Sequence, residues 1–193
     1  MTRVGWAMLA MFLLLGIAAV ALLGGQGPAI GWKARSPDPA PVTIATPSGL
    51  VVPVAGLEPR QLTNSWGDER GGGSRRHEAL DIMAPRGVPV LAAKAGRVEK
   101  LWTSAAGGLT IYVRGVDDFI YYYAHLDRYR PGLAEGQAVA AGEPIGTVGD
   151  SGNAGAGNTH LHFGISAMRR GERWWQGRPI NPYPLLAGSG AGR

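Results

Sequence analysis

Two histidines stand one residue apart in Asn158-Thr159-His160-Leu161-His162-Phe163-Gly164-Ile165. Leu161, Phe163 and Ile165 alternate with His160, His162 and Gly164. That period of two predicts a strand with its apolar face in a core and both imidazoles on the opposite face. Two imidazoles side by side on one pleated face suit a metal ion, or a metal ligand beside a catalytic histidine. The chain holds four histidines, so the remaining two, His77 and His125, carry the rest of any such chemistry. With no cysteine, a metal would have to be bound by nitrogen and oxygen.

His77-Glu78-Ala79-Leu80-Asp81 allows two readings. On a helix, His77 and Asp81 share a face, and Glu78 completes a variant of the H-E-x-x-H zinc helix with Asp in the last place. If Asp81 instead starts a strand, His77 must curl back from a loop to share an ion with it. Gly71-Gly72-Gly73-Ser74 upstream and Pro85 downstream leave little room for a helix and favour the second reading. Tyr121-Tyr122-Tyr123-Ala124-His125-Leu126 is expected to place Tyr121, Tyr123 and His125 on one strand face.

The elements that must position these groups are short strands and tight turns. Gly 31 and Pro 14 are high for 193 residues, and no long apolar-periodic run follows the N-terminus. Leu50 to Val54 reads as a short edge-like strand, because Pro53 cannot donate to a ladder. Leu109 to Arg114 and Phe119 to Ala124 read as a hairpin closed around Asp117-Asp118. Val139, Ile145 and Val148 belong to two short strands joined at Ala141-Gly142-Glu143. Trp174 and Trp175 lie in a surface excursion between Arg169 and Arg178, as a cap over the core or as a saccharide or lipid platform.

Ahead of this domain, Val4 to Leu23 is apolar and uncharged. About twenty residues at about 1.5 Å each span a bilayer core. Residues 1–24 are therefore expected to be an N-terminal transmembrane anchor, with a cleavable signal as the alternative, since Ala19-Val20-Ala21 offers a small-x-small site. Residues 25–48 read as a Pro/Gly-rich linker, 49–187 as the folded domain and 188–193 as a frayed tail. The formal net charge of +5 favours anionic surroundings such as a cell wall or lipid headgroups, and no nucleic-acid motif is present.

His-x-x-x-Asp, then Tyr-x-His-Leu, then His-x-His-Phe, in that order on a Gly-rich β chain, resembles the M23 family of zinc metallopeptidases, the lysostaphin and LytM type. The resemblance runs from about Leu50 to Leu186. It includes Asn64-Ser65-Trp66-Gly67-Asp68-Glu69-Arg70, Leu80 to Val90 and Gly149-Asp150-Ser151-Gly152-Asn153. It implies a mostly β, antiparallel domain with Gly-rich loops. It implies that His77, Asp81 and His162 ligate Zn²⁺ and that His125 and His160 are the unligated catalytic pair. One departure is visible: Ala79 stands where the family pattern H-x-G-x-D has glycine, and Ala resists positive φ.

The expected activity is hydrolysis of peptidoglycan stem-peptide cross-links, in the bacterial envelope, from an inner-membrane anchor. An alternative from another class is a peptidoglycan-binding module of this fold that activates a separate cell-wall amidase. It requires missing ligands, and none is missing here. A third is the helical zincin with Glu78 as base.

Overall fold

The computed structural model describes residues 43–46 and 48–188. The expected anchor, most of the linker and all but Gly188 of the tail lie outside the described residues. Among the described residues, a 3-10 turn at Pro59–Gln61 is followed by eleven strands and one short α-helix. They are β1 (Glu69–Arg70), β2 (Arg75–Arg76), β3 (Leu80–Met83), β4 (Pro89–Leu91), β5 (Gly96–Ser104) and β6 (Gly108–Gly115). Next come β7 (Phe119–Tyr129), β8 (Ala138–Val139), β9 (Pro144–Val148), β10 (His160–Ala167), β11 (Arg178–Ile180) and α1 (Tyr183–Ala187).

β1 and β2 form a separate two-stranded ribbon, and the other nine strands form one antiparallel sheet. Its main path runs β11-β10-β7-β6-β5-β8; β3 joins β10, β9 joins β7, and β4 joins β9. The mostly β, antiparallel expectation is met. The hairpin around Asp117-Asp118 is present as β6 and β7, and Asp118 turns it at a φ of 62°.

The period of two in β10 is realised. Leu161, Phe163 and Ile165 are buried against Tyr121, Tyr123, Ile111, Val113, Leu80 and Ile82. Burial of each large apolar side chain contributes about 1.5–3 kcal/mol before entropy is counted. Tyr123 is fully buried, and its hydroxyl accepts a hydrogen bond from the Ala93 backbone N–H at 2.8 Å.

One strand expectation is corrected. Leu50 to Val54 does not form a ladder at a sheet edge. It touches its neighbours through isolated bridges, Ala45 to Val51 and Val54 to Val90, and all five residues are buried. Pro53 still contributes the acceptor it has, taking the Leu91 N–H at 3.0 Å.

Candidate metal and catalytic site

β10 lies between β3 and β7, and its register sets the site. His162 stands directly opposite Asp81 on one side and Ala124 on the other. His77 comes from the irregular segment just before β3, as the loop reading required, so the helical H-E-x-x-D reading is excluded. Ala79 is buried but is not among the left-handed residues, so its methyl group fits without strain.

The strand face expected for His125 is corrected. Tyr121 and Tyr123 point into the core, but His125 adopts a left-handed φ of 59°. A non-glycine residue in that region costs roughly 1–2 kcal/mol. The ladder slips there: the register of β7 against β6 shifts between Leu109 and Ile111, and against β9 between Leu126 and Arg128. This bulge re-aims the ring out of the core. His125 then lies with its centroid 4.8 Å from His160 and 5.5 Å from His162.

All four histidines and Asp81 thus line one cavity of about 500 Å³, together with Tyr122 and Arg70. Ligand atoms of His77, Asp81 and His162 lie within 4.8 Å of one another. Asp81 Oδ1 is 3.1 Å from His77 Nε2 and 3.0 Å from His162 Nδ1.

Backbone carbonyls fix the tautomers. His77 Nδ1 donates to Ser65 O, His125 Nδ1 to Ser151 O and His160 Nδ1 to Asn158 O, each at 2.8 Å. A carbonyl can only accept, so in each neutral ring the proton is on Nδ1 and Nε2 is bare. For His77 this sets a lone pair against a carboxylate oxygen at 3.1 Å. Two acceptors do not hold each other there without a shared cation, which a proton on Nε2 or a metal ion would supply; His162 Nδ1 lies 3.1 Å from the same nitrogen. The donor set, two imidazoles and one carboxylate without sulfur, fits a divalent ion of zinc type.

The ionisation states agree. Burial alone would raise the Asp81 pKa, but hydrogen bonds and charge from His162 and His77 outweigh it and hold the carboxyl well below its usual range. Burial pushes the pKa values of His162 and His125 down, which favours the neutral rings. Arg70 Nη2 donates to the second Asp81 oxygen at 2.6 Å, leaving Oδ1 to the histidines. Ser65 supports both neighbours of the site, since its Oγ accepts the Asp81 N–H at 2.9 Å while its carbonyl holds His77.

Three contributors escape the sequence reading. Arg70 and Ser65 stand in the Asn64 to Arg70 lead-in, but nothing in their spacing shows contact with Asp81. Tyr122 reaches the cavity because it pairs with Gly164 on the His162 face. Only the register of β7 against β10 shows that.

An antiparallel β domain with a His/Asp/His group and two further bare imidazoles in one cleft defines a metallohydrolase. Residues 75–182 match the model of peptidase family M23, and the chain belongs to that family of metallopeptidases. A relative in Bacillus subtilis (strain 168), an L-Ala--D-Glu endopeptidase, is 38% identical over 129 residues, covering 64% of this chain and 38% of its own length. The peptidoglycan DD-endopeptidase ShyC of Vibrio cholerae is 31% identical over 121 residues, covering 61% of this chain and 28% of its own. The chain therefore spans well under half the length of either. Among solved structures, a putative glycyl-glycine endopeptidase lytM from Ruminococcus gnavus superposes with a TM-score of 0.55 at 36% identity, covering 65% of this chain and 52% of that one.

Proposed function

We propose that this protein is a zinc endopeptidase of the bacterial envelope that hydrolyses stem-peptide cross-links of peptidoglycan. His77 Nε2, Asp81 Oδ1 and His162 Nδ1 would hold the ion. Zinc in such a site lowers the pKa of a bound water towards neutrality and polarises a substrate carbonyl. The observation that carries the reading is the bare Nε2 of His77 held against the Asp81 carboxylate beside two further bare imidazoles.

His125 and His160 divide the remaining work. Each presents an unprotonated Nε2 to the cleft, while its Nδ1–H is held by a carbonyl. One accepts the proton of the attacking water at Nε2 and passes it to the leaving amine. The other can donate a hydrogen bond to the developing oxyanion only once it has itself taken up a proton at Nε2. The carbonyl contacts fix both rings before substrate arrives, so no reorientation is needed during the reaction.

Two of the relatives named above are an L-Ala--D-Glu endopeptidase and a peptidoglycan DD-endopeptidase, and this supports a peptide of peptidoglycan as the substrate class here. The apolar segment 4–23 would hold the domain at the membrane. The amidase-activating alternative has no supporting observation, because all three donors are present.

Purified cross-linked muropeptides incubated with the chain, with and without a chelator, test the reading by mass spectrometry. Chelator-sensitive conversion of dimers to monomers is expected. Intact dimers in the presence of zinc-loaded protein would refute it.

A further inference from the structure

The outer face of an antiparallel sheet ordinarily presents polar side chains to water. Here that face is aromatic. Gly164 on β10, Tyr122 on β7, Tyr112 on β6 and Lys100 on β5 lie in one cross-strand row, and Trp102 is two residues beyond Lys100. The ring centroids form a continuous series. His162 to Tyr122 is 5.9 Å, Tyr122 to Tyr112 is 4.6 Å, Tyr112 to Trp174 is 4.4 Å, and Trp174 meets Trp175 at 5.0 Å and Trp102 at 6.2 Å.

A lid over the core does not account for this. The core lies beneath the opposite face, where Tyr121 and Tyr123 point, and Trp174 packs on Tyr112. Trp102 and Trp175 remain 48% and 54% exposed, which is costly for so large an apolar surface. Each carries a cation: Lys100 Nζ sits 5.9 Å from the Trp102 ring, and the Arg173 guanidinium 5.3 Å from that of Trp175. An exposed indole face with a polar rim suits a pyranose. The C–H edge of the sugar packs on the negative face of the ring, and its hydroxyls reach the rim.

We propose that the aromatic row leading outward from Tyr122 to Trp102 and Trp175 is a saccharide-binding track that takes the glycan strand of peptidoglycan. This deepens the endopeptidase reading and rests on it for the identity of the polymer. Continuity selects the occupant. Tyr122 lines the catalytic cleft and begins the track, so a polymer whose peptide enters the cleft has its sugar backbone beside these rings. A lipid surface fits less well, because burying the face in a bilayer would cover the mouth of the cleft.

The test uses the full-length chain in detergent micelles and fluorescently labelled glycan strands stripped of their peptides. Binding is read by anisotropy, so it does not depend on peptidase activity. Trp102→Ala with Trp175→Ala should weaken strand binding by about tenfold, as the loss of two aromatic contacts predicts, and Trp102→Phe with Trp175→Phe should restore most of it. In parallel, the ratio of turnover on intact sacculi to turnover on a glycan-free peptide dimer should fall by a similar factor in the alanine pair. Equal strand binding by wild type and the alanine pair, or none by wild type, overturns the track. Lost affinity for phosphatidylglycerol vesicles with strand binding intact overturns it in favour of a membrane surface. Strand binding without peptide cleavage sinks the endopeptidase reading and leaves the track standing.

Discussion

At the scale of single residues, the site separates groups that would hold an ion from groups that would move protons. On the proposed function His125 belongs to the second set. His125→Ala is expected to keep bound zinc and to lower kcat/KM at least about 10²-fold, the usual contribution of a general acid or base. Metal content and steady-state rates on one preparation check both halves. Arg70 acts one step away, through its 2.6 Å contact with Asp81. Arg70→Ala should weaken zinc affinity by about 10–100-fold, as loss of a ligand's supporting partner does; competition with a graded chelator measures it. The pH dependence follows from burial of His125 and His162, which lowers both pKa values from the ordinary imidazole range. Folding favours the neutral rings, so the stability they support is complete above the unfolded value. It is lost as pH falls from there through the depressed folded values. Thermal melts of the chelated protein should drop as pH falls through and below the ordinary imidazole range. A flat melting temperature across that range would contradict the assignment.

At the scale of elements, the bulge at His125 is held by two loops locked together. Its backbone N–H donates to Gly107 O at 2.8 Å, and its Nδ1 to Ser151 O. Ser151 Oγ accepts the Leu109 N–H at 3.0 Å and donates to Leu126 O at 2.6 Å. Gly152, at a φ of 73°, packs so closely that a Cβ would strike the backbone of Gly108 and Ala106. Gly152→Ala should therefore push the Ser151 loop away and cost about 1–3 kcal/mol, with activity falling more than stability. Denaturant midpoints and rates at a fully folded temperature separate the two effects. This element also marks where the sequence stops being readable. Period-two alternation correctly gave the β10 face, because nothing interrupts that strand. In β7 the same rule placed His125 with Tyr121 and Tyr123, and it failed because alternation cannot foresee a left-handed residue. The segment Leu50 to Val54 failed for a related reason. Its apolar run is genuine, but it is satisfied by burial and isolated bridges instead of a ladder.

At the scale of the molecule, the site is assembled from three stretches spread over residues 77 to 162 that only the sheet brings together. Their residue types and order were legible: His77, Asp81, His125, His160 and His162 all meet in one cleft. Their supports were not, because Ser65, Arg70 and Tyr122 matter through register and tertiary contact. The account stands on one claim, that His77, Asp81 and His162 hold a catalytic zinc ion. Native mass spectrometry of the full-length chain and two variants tests it most directly. The account predicts one zinc per chain in the wild type and in His125→Ala, and none in Asp81→Ala. A wild type without zinc, or an Asp81→Ala protein that keeps it, would contradict the claim.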